Sequence, residues 1–190
     1  MIKKYSIIRL IIYYTSFKFM KKIFLTLLGY QTTWMFCVFG EYYSFPLVGL
    51  FIGILYLSIF FYFINNKIKA LKICLLFSLI GYLFDSILGY SDLFNLKSNI
   101  MFGYLPIWFV VLWPSFSTLF VNVLSFLKNR PLLAFLIGAL LAPPTYYLGI
   151  PLGIAESENL GLSMTIMVIF WGLLLMFYSF FINKIKFKTI

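Results

Sequence analysis

Asp85 stands inside a long apolar run, Ala70–Gly89, where a charged group is unexpected. A helical run of this length can cross the ~30 Å hydrocarbon core of a membrane. A carboxylate at that depth costs at least ~2.5–3.5 kcal/mol, so such residues usually face a protein interior or a wet cavity. Gly81 and Gly89 lie about one turn away on the same face, where small residues let another helix approach closely. Asp85 is therefore either a structural carboxyl that joins two helices or a functional group in a cavity.

Histidine is absent from the sequence, and cysteine occurs twice. The lack of histidine excludes histidine acid–base chemistry, histidine metal sites and histidine-ligated haem. Cys37 and Cys74 do not have a metal-binding spacing, and we expect them near opposite membrane faces, so no disulfide is predicted. The sequence also lacks the common hydrolase, metalloprotease and P-loop motifs and paired intramembrane carboxylates. We therefore predict no catalytic residue, metal or cofactor, and an enzyme is the least favoured class of function.

The elements that position these residues follow from hydropathy. Because 63% of the residues are apolar and 11% are charged, the chain cannot build the polar shell of a soluble domain. Six apolar segments of about 20 residues are separated by short connectors with turn residues. The segments are Ile23–Phe39, Pro46–Ile64, Ala70–Gly89, Leu105–Leu127, Leu132–Ile150 and Met164–Ile182. The predicted fold class is an all-α, polytopic transmembrane bundle of about six helices, with residues 21–190 as one domain.

The basic residues are distributed very unevenly between the two sides of these segments. Fourteen of the fifteen lie on one side, and Lys97 is the exception. Four of the five acids, Glu41, Asp92, Glu156 and Glu158, map to the other side. Because cytoplasmic loops carry the excess of lysine and arginine, we predict an N-in/C-in topology, with both termini on the cytoplasmic side. The net charge of +10 then attracts anionic lipid headgroups at the cytoplasmic face, and no nucleic-acid partner is expected.

Unusual residues of five predicted helices lie at a common depth. With a rise of ~1.5 Å per residue, Asp85 lies ~10 Å below the outer face. The same arithmetic places a tryptophan or a proline pair from four other helices at ~9–12 Å. These are Trp34, Trp113, Pro143–Pro144 and Trp171, with Thr145, Tyr146 and Tyr147 as neighbouring donors. We predict an outward-facing pocket with Asp85 in its wall, and the alternative is an aromatic belt with ordinary proline kinks.

Polar side chains also form a stripe on the fourth predicted helix. Thr118 and Asn122 share one helical face with Ser115 and Ser125. Gln31 lies near the middle of the first helix. Interhelical hydrogen bonding is the favoured explanation of these residues. Asn122 is predicted to lie nearer the cytoplasmic side and not to touch Asp85.

Residues 1–20 form a basic extension before the first predicted span. Arg9 and Lys18 interrupt the apolar stretch Tyr5–Phe19, a pattern that fits an interfacial amphipathic helix. The alternative is an artefact of start-codon choice, because Met20 followed by two lysines and an apolar run is a normal beginning for a membrane protein.

An ordered set of short motifs covers about four-fifths of the chain. It comprises Leu28-Gly29-Tyr30-Gln31 with Trp34, Cys37-Val38-Phe39-Gly40, Gly81-Tyr82-Leu83-Phe84-Asp85-Ser86, Leu105-Pro106-Ile107-Trp108, Leu112-Trp113 with Phe116 and Thr118, Arg130-Pro131-Leu132-Leu133 with Gly138, and Pro144 with Tyr147. In this set the chain resembles a family of small bacterial inner-membrane proteins called domain of unknown function 2878. Residues 1–20 have no counterpart in the family pattern.

The resemblance implies a fold and a context but no activity. The family often has a histidine in the fourth helix, near the position of Asn122, so a chemical role of that histidine would be missing here. Family members are often encoded near lipid-modifying enzymes of the cyclopropane-fatty-acid-synthase type. This implies an association with membrane lipids.

Two functions are favoured by the sequence. The first is a non-enzymatic partner of membrane-lipid modification, which predicts a membrane-protein partner that co-purifies. The second is a small transporter or lipid-handling protein that uses Asp85 in an outward-facing cavity. The residues predicted to form the intramembrane polar site are Gln31, Trp34, Asp85, Trp113, Thr118, Asn122, Pro144, Tyr147 and Trp171.

Overall fold

The computed structural model describes the backbone of residues 2–182 and the side chains of residues 20–182. Within this range the chain is mostly helical. The helices are α1 (Ile2–Tyr42), α2 (Pro46–Phe63), α3 (Lys67–Tyr90), α4 (Phe109–Val121), α5 (Pro131–Leu141), α6 (Pro143–Tyr147) and α7 (Leu160–Phe181). Because α5 and α6 together make one apolar unit, Pro131–Tyr147, the bundle contains the six helices that hydropathy predicts.

Four of the described helices are long and apolar enough to cross a membrane, namely Met20–Tyr42 within α1, and all of α2, α3 and α7. The other two are shorter. The 13 residues of α4 span about 20 Å, and Pro131–Tyr147 spans about 25 Å, against a hydrocarbon core of ~30 Å. A 3-10 segment, Val123–Leu127, lengthens the fourth crossing.

The fourth and fifth helices differ from the predicted segments for local reasons. The predicted start at Leu105 is four residues early, because Leu105–Pro106 pairs as a β-strand with Met101–Phe102. The predicted helix Leu132–Ile150 is interrupted at Ala142. Pro143 and the residue after it lack the backbone N–H groups that would continue α5, so a new short helix begins there.

Helix α4 lies at the centre of the bundle. It packs against α1, α2 and α3, whereas α5 packs mainly against α7. Glycine permits the closest of these approaches: a Cβ added at Gly138 would lie 2.1 Å from the carbonyl oxygen of Trp171. Between α4 and α7, the Tyr178 hydroxyl donates to the carbonyl of Phe120 over 2.8 Å.

The outer ends of the helices are joined by short β pairings that hydropathy does not predict. Strand β1 (Asn95–Leu96) pairs antiparallel with β4 (Ala155–Glu156), and β2 (Met101–Phe102) pairs with β3 (Leu105–Pro106). An ion pair between Lys97 and Glu156 crosses the first of these pairings. The loops between α3 and α4 and between α6 and α7 therefore form one cap.

Charge separates the two ends of the bundle. Lysine and arginine occur at the start of the first span, in the first two turns of α3 and in the α4–α5 connection, whereas Lys97 and four of the five acids occur at or near the opposite helix ends. The N-in/C-in orientation, which places the basic end in the cytoplasm, stays a prediction. The side chains of residues 1–19 and the lysines at 184, 186 and 188 lie outside the described residues. The prediction that residues 1–20 form an interfacial extension or a start-site artefact therefore stays a prediction.

Candidate functional site

Asp85 lies in the interior of the bundle and is only 2% exposed. The indole Nε1–H of Trp113 donates to Asp85 Oδ2 over 2.7 Å, and the hydroxyl of Tyr146 donates to Oδ1 over 2.9 Å. Each oxygen of the carboxyl group thus accepts a bond from a different helix, α4 or α6. Two good donors offset much of the cost of placing this group among apolar side chains.

Gly81 explains how Trp113 reaches the carboxyl group. A Cβ at Gly81 would lie 2.2 Å from three atoms of the Trp113 ring, so only glycine lets the indole lie flat against α3. On its other side Trp113 stacks on Trp171 of α7, with ring centroids 5.1 Å apart and planes inclined by 10°. Asp85, Trp113, Tyr146 and Trp171 form one connected unit, which we call the Asp85 cluster.

A cavity of about 360 Å³ lies beside the Asp85 cluster, and we call it the outer cavity. All four residues of the cluster line it. α1 adds Tyr30, Gln31, Trp34 and Val38, α4 adds Leu112 and Phe116, and α5 adds Ile137 and Leu141. The walls are therefore mostly aliphatic and aromatic, with few polar groups, which is the usual composition of a site for an apolar or amphipathic ligand.

The outer cavity reaches the lipid-facing surface between α1 and α5–α6. Both walls line the cavity, yet over the described residues α1 packs on α2 and α4 while α5 packs on α7. Gln31 on one wall and Leu141 and Thr145 on the other are exposed as well as lining the cavity. At the outer end Leu96 and Ile154, from the paired loops, close the cavity. Its opening is consequently lateral.

A comparison with protein families shows to which family the chain belongs. Residues 23–177 match the family described as Protein of unknown function (DUF2878). The chain belongs to this family. No curated protein and no solved structure matches the chain. The family match includes at least part of every described span, and both walls of the outer cavity fall inside it.

The structure brings five of the nine predicted site residues of this DUF2878 protein to the outer cavity. Asp85 and Trp113 are in its wall with Gln31, Trp34 and Trp171. Pro144 and Tyr147 are exposed and are not among the lining residues. Thr118 is fully buried behind Tyr56, and Asn122 borders a second cavity on the other side of α1. Four of the nine predicted site residues therefore lie outside the outer cavity.

One of the two hydrogen-bond partners of Asp85 is not among the predicted site residues of this DUF2878 protein. Tyr146 is predicted only as a neighbouring donor and Tyr147 as the site residue, but Tyr146 is the residue that donates to the carboxyl group. The break at Ala142 resets the helical phase, so spacing from α5 does not show which tyrosine faces inward. Trp108, which also lines the cavity and donates to Glu41 Oε2 over 2.7 Å, was missed as well.

One buried hydrogen-bond donor in the wall of the outer cavity lacks an acceptor among the described residues. Among the described residues the Trp171 Nε1–H has no hydrogen-bond partner of good geometry, although Tyr146 lies close enough to interact with it. A ligand oxygen next to Trp171 would give this donor an acceptor. The described residues contain no group of three side chains suited to a metal ion, and both cysteines are buried and unbridged there.

Proposed function

We propose that this DUF2878 protein is a lipid-handling protein of the bacterial inner membrane. It takes an amphipathic molecule sideways from the bilayer into the outer cavity. The observation that supports this proposal is the combination of a laterally open, mostly apolar cavity with a buried carboxyl group in its wall. A dry, solid bundle around Asp85 would instead have favoured a purely structural carboxyl group.

The cavity suits such a ligand in size and in chemistry. Its ~360 Å³ falls in the range of ~300–1,000 Å³ typical of small-molecule sites. Its lining residues on α4 and the 3-10 segment after it run from Phe109 to Leu124, or ~22 Å at helical rise. This shape suits an extended apolar chain, while the carboxylate oxygens of Asp85 retain lone pairs that accept a ligand hydroxyl or amine.

The Asp85 cluster gives the cavity a fixed polar end. Trp113 and Tyr146 hold the carboxyl group from two helices, so it does not have to reorganise when a ligand arrives. Gln31 and Thr145, at the lateral opening, add polar atoms along the route of entry. In this proposal the cluster recognises the polar group of the lipid and the remaining walls hold its chain.

A cavity-filling substitution tests the proposal. Ala142 lines the cavity and has α-helical backbone angles, so Phe fits its backbone without strain while its ring fills the space. Leu140→Phe is the matched control, because Leu140 is 67% exposed and is not a lining residue. We expect native mass spectrometry of protein in mild detergent to show bound lipid for wild type and for Leu140→Phe, and at least tenfold lower occupancy for Ala142→Phe.

Two results would count against lipid handling. One is wild-type protein without bound lipid, and the other is equal occupancy in Ala142→Phe and Leu140→Phe. The competing proposal, a non-enzymatic partner of lipid-modifying enzymes, instead predicts a co-purifying membrane protein whose association is unaffected by Ala142→Phe. Lipid analysis of a deletion strain and an Asp85→Asn strain adds a cellular arm, in which unaltered acyl chains and headgroups in both strains would contradict a lipid-linked role.

A further inference from the structure

A second cavity of about 460 Å³ lies on the opposite face of α1, and we call it the inner cavity. It is lined by α1 from Lys22 to Thr32 and by α2 from Ile52 to Phe63, and Asn122 borders it from the end of α4. The ten helical steps from Lys22 to Thr32 correspond to ~15 Å of helix, which is half of the ~30 Å hydrocarbon core. The inner cavity thus has the depth of one leaflet and belongs to the cytoplasmic half.

Tyr56 forms part of the wall of the inner cavity, about one turn before its deep end at Ile52. Its ring lies against Gly29, where an added Cβ would come within 2.1 Å of it. Its hydroxyl bonds to Thr118 Oγ1 over 2.6 Å and donates to the carbonyl of Thr26 over 3.2 Å. Toward the cytoplasm, Leu25 and Ile59 line the cavity and are each about half exposed, so the cavity is open to lipid on this side.

Electrostatics at the cytoplasmic end points to a negatively charged ligand. Lys22 lines the cavity and has no carboxylate partner among the described residues. All five acids of the sequence lie elsewhere: one is Asp85 inside the bundle and four are at or near the opposite helix ends. Asn122 also faces this cavity, and its Nδ2 reaches only Thr26 Oγ1, at 3.5 Å. A phosphate would supply the counter-charge for Lys22.

We propose that the inner cavity binds an anionic phospholipid of the cytoplasmic leaflet. One acyl chain lies between α1 and α2, passes Tyr56 and ends near Ile52, and the phosphate group binds Lys22 at the membrane surface. This site is separate from the outer cavity: α1 lies between them, and no residue lines both. It would hold a resident lipid whether or not the outer cavity handles one.

Lipid titration of the purified full-length protein in detergent, followed by native mass spectrometry, tests this site. Phosphatidylglycerol and phosphatidylethanolamine are the two probes. Lys22→Gln is compared with Lys21→Gln, which removes the same charge from an exposed neighbour that does not line the cavity. We expect Lys22→Gln to weaken phosphatidylglycerol binding about fivefold and Lys21→Gln to leave it nearly unchanged.

A second pair of variants tests the place of the acyl chain. Ile52→Phe fills the deep end of the inner cavity, whereas Ile54→Phe, on the same helix, changes an exposed side chain outside it. We expect only Ile52→Phe to lower the occupancy by phosphatidylglycerol, and Ala142→Phe in the outer cavity to leave that occupancy intact. Equal effects of the two lysine variants, or equal binding of the two lipids, would show diffuse attraction to the surface and would overturn the proposal. Unchanged occupancy by phosphatidylglycerol in Ile52→Phe would also overturn the proposal.

Discussion

The two cavities lie on opposite faces of α1 and hold their polar groups in different ways. In the outer cavity, Asp85 accepts hydrogen bonds of 2.7 and 2.9 Å from Trp113 and Tyr146. In the inner cavity, Lys22 has no carboxylate partner among the described residues, and Asn122 reaches a neighbour only at 3.5 Å. Asp85 in the outer cavity is held in place by hydrogen bonds within the protein, whereas Lys22 and Asn122 in the inner cavity lie toward the edge of the membrane.

This difference follows from depth. A carboxyl group deep in the hydrocarbon layer needs partners from the protein itself, because water cannot supply them. A lysine at the cytoplasmic surface can find its partners among lipid headgroups and water. Substitutions around the outer cavity should therefore affect stability strongly, and equivalent substitutions around the inner cavity should affect it weakly.

Of the three substitutions, Gly81→Leu should disrupt the outer cavity most and lower the free energy of unfolding most. The new side chain would occupy the position of the Trp113 ring, displacing the indole and leaving Asp85 without one of its donors. We expect the free energy of unfolding in detergent to fall by about 3 kcal/mol, the upper range for overpacking. Gly161→Ala is the control, since a Cβ there meets only Asn159 Oδ1, at 3.8 Å. Similar losses in both variants would contradict the close contact between Gly81 and Trp113.

Tyr146→Phe should have the next largest effect. It removes the donor to Asp85 Oδ1 and keeps the ring, so a buried carboxyl oxygen loses its partner. We expect a loss of about 1–2 kcal/mol in the same unfolding measurement. Tyr147→Phe should change stability very little, because Tyr147 is 52% exposed. A larger effect of Tyr147→Phe than of Tyr146→Phe would contradict the assignment of Tyr146 to the Asp85 cluster.

Tyr56→Phe probes the inner cavity and should have the smallest effect. The hydroxyl of Tyr56 joins α2 to α1 and α4, but Thr118 keeps a second bond to the carbonyl of Ser115. We expect a loss of about 0.6 kcal/mol, the average for hydrogen bonds between membrane helices. A loss equal to that of Tyr146→Phe would remove the contrast between the two cavities.

Hydropathy predicted the multi-pass helical architecture, because a chain that crosses lipid needs long apolar helices. Helical rise also predicted a common level for Asp85 and three tryptophans, and all four tryptophans of the sequence line one cavity. Those four are Trp34, Trp108, Trp113 and Trp171, although Trp108 was not in the predicted set.

Other features depend on contacts that are distant in sequence. The choice between Tyr146 and Tyr147 depends on the helix phase after Ala142. The pairing of β1 with β4 joins loops some sixty residues apart, and periodicity carries no signal for it. The sequence does not predict the inner cavity, because Asn122 alone indicates helix packing and Lys22 alone indicates topology, and nothing in their spacing shows that they lie close together.

The proposal that the outer cavity binds a lipid is best tested by a density map of the wild-type protein in lipid nanodiscs, with a bound antibody fragment to increase the particle size. We expect elongated non-protein density in the outer cavity, entering between α1 and α5–α6, with its polar end within hydrogen-bond distance of Asp85 or Trp171. An outer cavity filled by protein side chains, or one without lipid-like density while annular lipids are resolved, would contradict it.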